Sequence, residues 1–121
     1  PTLSNSPVSP TSSRGPAAKT GNAYRDARAS ADGCLRAAIN QDFSSFRNFL
    51  TASAKSRAST LQSRFSREAQ DGWVYQFAST ETLGSGFVRF RYLRKRSATS
   101  EPFFVSVLLE RDQWLIDEIS P

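Results

Sequence analysis

Along the first stretch, PTLSNSPVSPTSSRGPAAKTGN, apolar positions never gather into a period: Ser, Pro, Thr and Gly dominate. Such a segment cannot bury enough surface to offset its ordering entropy, which predicts a flexible linker over residues 1–22. From Tyr24 the spacing becomes helical. Ala27, Ala31, Cys34 or Leu35, and Ala38 recur at three- and four-residue steps, giving a narrow stripe of small residues suited to close packing. Gly33 falls inside this stripe, where glycine costs about 1 kcal/mol relative to alanine, so the helix is expected to kink there or to lean on tertiary support. Asp42 reads as the N-cap of a short second helix that crowds Phe43, Phe46, Phe49 and Leu50 onto one side. A third helix is expected from about Thr51, with Ala54, Ala58, Leu61, Phe65 and Ala69 inward and Gly72 ending it.

After Gly72 the period becomes two. Trp73, Tyr75 and Phe77 alternate with smaller or polar neighbours in WVYQFAST, and the glycines of LGSG interrupt the run. FVRFRYLRKRS follows, with Val88, Phe90 and Tyr92 on one face and Arg89 and Arg91 on the other. SATSEP is expected to turn the chain into a strand whose inward row is Phe103, Val105, Val107 and Leu109; ERDQ then turns it into WLIDEI. Helices followed by about four meandering antiparallel strands predict an α+β fold, with the helices covering one face of the sheet. Residues 23–121 form the single predicted domain. Within it Trp114 and Ile116 are expected to close the core.

Composition narrows the chemistry more than it names a function. With 38% hydrophobic and 22% charged residues in 121, the chain has the make-up of one ordinary globular domain. It contains no apolar run of the roughly 18 residues that a membrane span requires. It has no methionine, even at position 1, which leads to the expectation of a piece of a longer protein. Cys34 is the only cysteine and histidine is absent. An intrachain disulfide, a Cys-rich zinc site, a Ser–His triad and a histidine-ligated metal are thereby excluded within the chain. No metal and no cofactor are expected. The net charge of +5 speaks to solubility and non-specific attraction rather than to a defined site.

Three stretches carry a resemblance to a known superfamily. AAINQDFSSFRNFLTASAK, GFVRFRYLRKRS and VSVLLERDQWLIDEI resemble, in that order, the first-helix exit with the short second helix, the long central strand, and the closing hairpin of the nuclear transport factor 2-like proteins, also called cystatin-like or SnoaL-like. The resemblance covers roughly residues 24 to 120. It implies a cone whose curved sheet wraps the helices and leaves a pocket at the open end. The superfamily includes enzymes, ligand carriers and interaction modules, so the resemblance leaves the activity open. Its enzymes, ketosteroid isomerase and scytalone dehydratase among them, set an aspartate base beside tyrosine or histidine inside the cone. Spacing alone sets none of Asp42, Asp71, Glu81, Glu101, Asp117 or Glu118 beside the inward Tyr75 and Tyr92.

Three groups of residues emerge as candidate sites. Tyr75, Phe77, Phe90 and Tyr92 are expected to line a ligand pocket. Phe104, Leu108 and Leu115 fall on the outer sheet row, where large apolar side chains mark contact with another protein or a second copy. Arg89, Arg91, Arg94, Lys95 and Arg96 form a basic patch with no acidic residue between them, suited to phosphates but without the exposed aromatics of most nucleic-acid binders. The favoured reading is a non-catalytic module that binds a protein partner or a small apolar ligand. It is tethered to an upstream anchor or domain in an extracytoplasmic or membrane-proximal setting, as many of the resembled proteins are. Two alternatives stand beside it: a cofactor-independent isomerase or dehydratase using a buried carboxylate and a tyrosine, and a nucleic-acid or anionic-surface binder using the arginines.

Overall fold

The computed structural model describes residue 16 and residues 18–120; most of the expected linker lies outside the described residues. The elements run α1 (Ala23–Ile39), α2 (Phe43–Asn48), α3 (Ala52–Lys55), α4 (Ala58–Gln70), β1 (Val74–Leu83), β2 (Phe87–Arg96), β3 (Thr99–Glu110) and β4 (Gln113–Ser120). The strands form one antiparallel sheet in the order β1-β2-β3-β4. The helices pack against the inner face of this curved, unclosed sheet, the α+β arrangement that the sequence predicts. Register shifts in β1, between Phe77 and Ser79 and between Thr80 and Thr82, mark bulges; bulges bend a strand and increase its twist.

Side-chain chemistry sets the helix ends. Asn22 caps α1, accepting from the Arg25 amide at 3.0 Å; Asp42 caps α2 through the Ser45 amide; Thr51 caps α3 through the Ala54 amide. Helix α1 continues through Gly33, which is buried along with Ala27, Ala31, Cys34 and Ala38, so packing supplies the support that the glycine needs. The single helix expected from Thr51 is two. Its first turn is tied to β4: the Thr51 amide donates to the Ile116 carbonyl at 2.9 Å, and the Thr51 hydroxyl to Asp117 at 3.0 Å. Arg57, at the junction, reaches the Asp117 carbonyl at 3.1 Å. The chain therefore leaves helical geometry at Arg57, after Ser56 ends α3, and α4 takes its own direction from there. At the other end of α4, Trp73 donates its amide to the Glu68 carbonyl and Gly72 donates to Ala69. This is the Schellman pattern, and Gly72 supplies its left-handed residue at φ +87.

The hairpins are tighter than the sequence suggests. Only Ser97 and Ala98 separate β2 from β3, so Thr99 to Pro102 are strand residues paired back to Arg96 through Leu93 rather than part of a long turn. Arg111 and Asp112 both adopt positive φ between β3 and β4, as a two-residue primed turn requires. Trp114, 1% exposed, lies in the core with Ile116, Phe103, Val105 and Val107. A chain of ring contacts, centroids 5.4 to 5.8 Å apart, passes from Phe46 through Phe65, Tyr75, Phe103, Tyr92 and Phe77 to Phe90. Offset and edge-to-face pairs of this kind add stability beyond the area they bury. The last residues of the expected linker also have partners: Ala18 bridges Gln113, the Lys19 amide donates to the Asp112 carbonyl at 2.8 Å, and Thr20 donates to the buried Asp26.

Candidate functional site

One face of α1 and the inner side of β1 and β2 enclose an open cavity of about 470 Å³. Tyr75 and Phe77 come from β1 and Tyr92 from β2, brought to one side by strand alternation. Opposite them α1 presents Arg28, Asp32 and Arg36 at four-residue steps, with Leu35 behind and Ile39 at 49% exposure further along the helix. Four-residue steps keep those side chains on one helix face.

Asp32 is the polar centre. The Tyr92 hydroxyl donates to its Oδ1 at 2.6 Å, and Arg28 approaches its Oδ2 at 3.1 Å. Arg28 also lies over the Phe77 ring, 3.5 Å from the centroid, and donates to the Tyr24 hydroxyl at 3.0 Å. Burial opposes the charge on Arg28, but Asp32 and Tyr24 outweigh that effect and its pKa rises above the ordinary value. The Tyr92 phenol is pushed far above its usual range, first by burial and then by the charge and hydrogen bond of Asp32.

A second carboxylate, Glu68 on α4, is arranged in the same way. It accepts from the Tyr75 hydroxyl at 2.6 Å, from Arg64 at 3.1 Å and from Arg94 at 3.1 Å. Burial, then Glu68, also drive the Tyr75 phenol up. Both phenols therefore keep their protons at neutral pH and direct them at carboxylates.

Three of the four residues expected in the pocket line it. Phe90 is fully buried beneath, edge-on to Tyr24 and Phe77. In the basic group, Arg94 stands apart from the rest: it is on the inner face, 9% exposed, paired with Glu68 and Glu101 and stacked over Phe103. Alternation explains this, since position 94 continues the inward row of Val88, Phe90 and Tyr92. Arg91 is exposed, Lys95 is half-buried, Arg89 covers the Phe104 ring at 4.5 Å and Arg96 covers Trp73 at 4.7 Å. Phe104, Leu108 and Leu115 are half-buried on the outer side, with Phe87 beside Leu108 at 37% exposure. The sequence reading missed Arg28, Asp32, Arg36 and Glu68. Their signals were present as the four-residue pairs Arg28–Asp32 and Arg64–Glu68, a spacing equally common on solvated helix faces.

No protein-family model matches this chain, and no curated protein does. Among solved structures, a SEC-C motif containing protein from Rhodopseudomonas palustris shares the fold, with a TM-score of 0.57 and 10% identity over 76% of this chain and 75% of that one.

Proposed function

We propose that this chain is a non-catalytic binding module of the nuclear transport factor 2-like kind, holding a small, largely apolar ligand between α1 and the β1–β2 edge of the sheet. Its Ser/Pro-rich first stretch serves as the tether to an upstream anchor or domain. The observation that carries the reading is the cavity itself: Tyr75, Phe77 and Tyr92 form one wall of a space of about 470 Å³, within the range of small-molecule sites. Four helices in the concavity of a four-stranded meander support the superfamily assignment. The hydrogen bonding supports binding: the phenols of Tyr75 and Tyr92, each with a single proton, already donate to Glu68 and Asp32.

A protein-detected magnetic resonance screen with neutral aromatic fragments tests this. Binding is expected to shift the resonances of Asp32, Tyr75, Phe77 and Tyr92, and Ile39→Trp, at the cavity rim, is expected to weaken it. Hits that shift only other residues, or that bind Ile39→Trp unchanged, refute the assignment.

The isomerase or dehydratase reading keeps one specific support, a carboxylate and a tyrosine 2.6 Å apart at the cavity. It requires turnover of a bound carbonyl or hydroxyl compound that Asp32→Asn abolishes. A nucleic-acid role draws less support, because Arg94 is internal and Arg89 and Arg96 are stacked on rings. The row Phe104, Leu108 and Leu115 on the outer face is proposed as the contact with a protein partner or a second copy.

A further inference from the structure

We infer that the ligand of this cavity carries a carboxylate on a planar hydrocarbon body, and that Arg36 is its anchor. The inference rests on the binding reading above and names the class of ligand. Among the described residues, Arg36 is the cationic side chain of the inner face that has no carboxylate partner. Arg28 is neutralised by Asp32 at 3.1 Å, Arg64 and Arg94 share Glu68, and Arg94 also meets Glu101. Arg36 lines the cavity yet pairs with no carboxylate among the described residues. Its Nη1 is buried without a hydrogen-bond partner, as are Arg64 Nη2, Arg89 Nε and Trp114 Nε1; Arg36 differs from these in lining this cavity with no carboxylate paired to it. Buried polar atoms are nearly always bonded, and an unmade bond at a charged donor is among the costliest omissions. Asn40, one helical turn further on, reaches the same cavity. The end of the cavity near Arg36 is therefore rich in donors, while the aromatic wall and Leu35 are not.

A ligand that fits is flat and apolar over most of its length and offers acceptors at one end. The guanidinium fork matches a planar carboxylate with two parallel hydrogen bonds. A dianionic phosphate suits the site less, because Asp32 sits one turn from Arg36 on the same face. The overall positive charge of the chain favours the approach of an anion.

Calorimetric titration with 2-naphthoate and with neutral 2-naphthamide, on the wild-type chain and on Arg36→Gln, tests the assignment. The expected result is at least ten-fold tighter binding of the acid than of the amide by wild type. Arg36→Gln removes that preference, so that acid and amide bind alike; Arg36→Lys, which keeps the charge, retains part of it should the Gln variant fail to fold. If wild type binds acid and amide equally, the anion assignment falls and the pocket stands. If neither probe binds, both fall.

Discussion

Replacing Arg94 by methionine tests whether this arginine is an internal strut or one more surface cation. Methionine keeps an apolar stem over Phe103 while removing two charge-assisted hydrogen bonds, each 3.1 Å long. The two are not equal. Glu101 is half exposed, with 50% of its side chain accessible, and water replaces Arg94 there, so that pair contributes about 0–1 kcal/mol. Glu68 is 13% accessible, and stripping a partner from a buried carboxylate costs about 3–5 kcal/mol when nothing compensates. Here Arg64 and the Tyr75 hydroxyl remain on Glu68, which brings the loss down toward that of one hydrogen bond to a charged group, about 1.5–3 kcal/mol. The total is about 1.5–4 kcal/mol, or a fall in melting temperature of roughly 6–20 °C for a domain of this size. Equilibrium urea unfolding at neutral pH measures it directly. Arg91→Met is the control, since it removes the same charge from an exposed neighbour on the same strand and is expected to stay within about 0.5 kcal/mol of wild type. If the two variants unfold at the same urea concentration, Arg94 is not the buried strut described above and the Glu68 cluster has no energetic weight.

Alkaline titration addresses the two cavity phenols: because burial and their carboxylate partners raise both pKa values, the folded state holds these protons more tightly than the unfolded chain. Their contribution is complete below about pH 10, where an unfolded tyrosine ionises, and is lost as pH climbs beyond it. Unfolding free energy should fall above that point, less steeply in Tyr92→Phe; an identical decline in the variant refutes the assignment. Cys34, 1% exposed and with its thiol pKa raised by burial, should resist a thiol-specific reagent in the native state and react fully in denaturant, whereas rapid native labelling shows that the α1 stripe is open. Sedimentation of Phe104→Glu tests the outer-face contact: a self-associating chain should become monomeric, and an unchanged mass removes Phe104 from any interface between copies.

What could be read from the sequence follows from how strictly a local period constrains a side chain. Strand alternation has a period of two, so Tyr75 shares a face with Phe77 and Tyr92 with Phe90, and the apolar character of both rows turns them inward toward the helices. The same rule, carried two residues past Tyr92, places Arg94 inside; the run of charges in Arg94, Lys95 and Arg96 hid that step. The start of β3 was missed because Pro102 and the exposed Thr99 to Glu101 look like a turn, although Pro102 pairs opposite Leu93 within the ladder. The division of α3 from α4 has no local signal, since the hydrogen bonds that fix it run to Ile116 and Asp117, about sixty residues away in the chain.

Helix α1 shows why the charged half of the site stayed hidden. Its apolar stripe identifies the face that packs on the sheet, and a stripe that narrow assigns its flanks to water. Arg28, Asp32 and Arg36 lie on such a flank, but they face β1 across the cavity. The small residues of the stripe matter to the site for the same reason that they matter to the core. Ala27, Ala31, Cys34 and Ala38 are at most 1% exposed, and side chains of that size let a helix axis approach a sheet closely. Only at close approach does a residue as short as aspartate on α1 accept a 2.6 Å hydrogen bond from Tyr92, sixty positions away on β2. The spacing that closes the core and the spacing that sets the polar centre of the cavity are thus one distance, fixed by the four small residues.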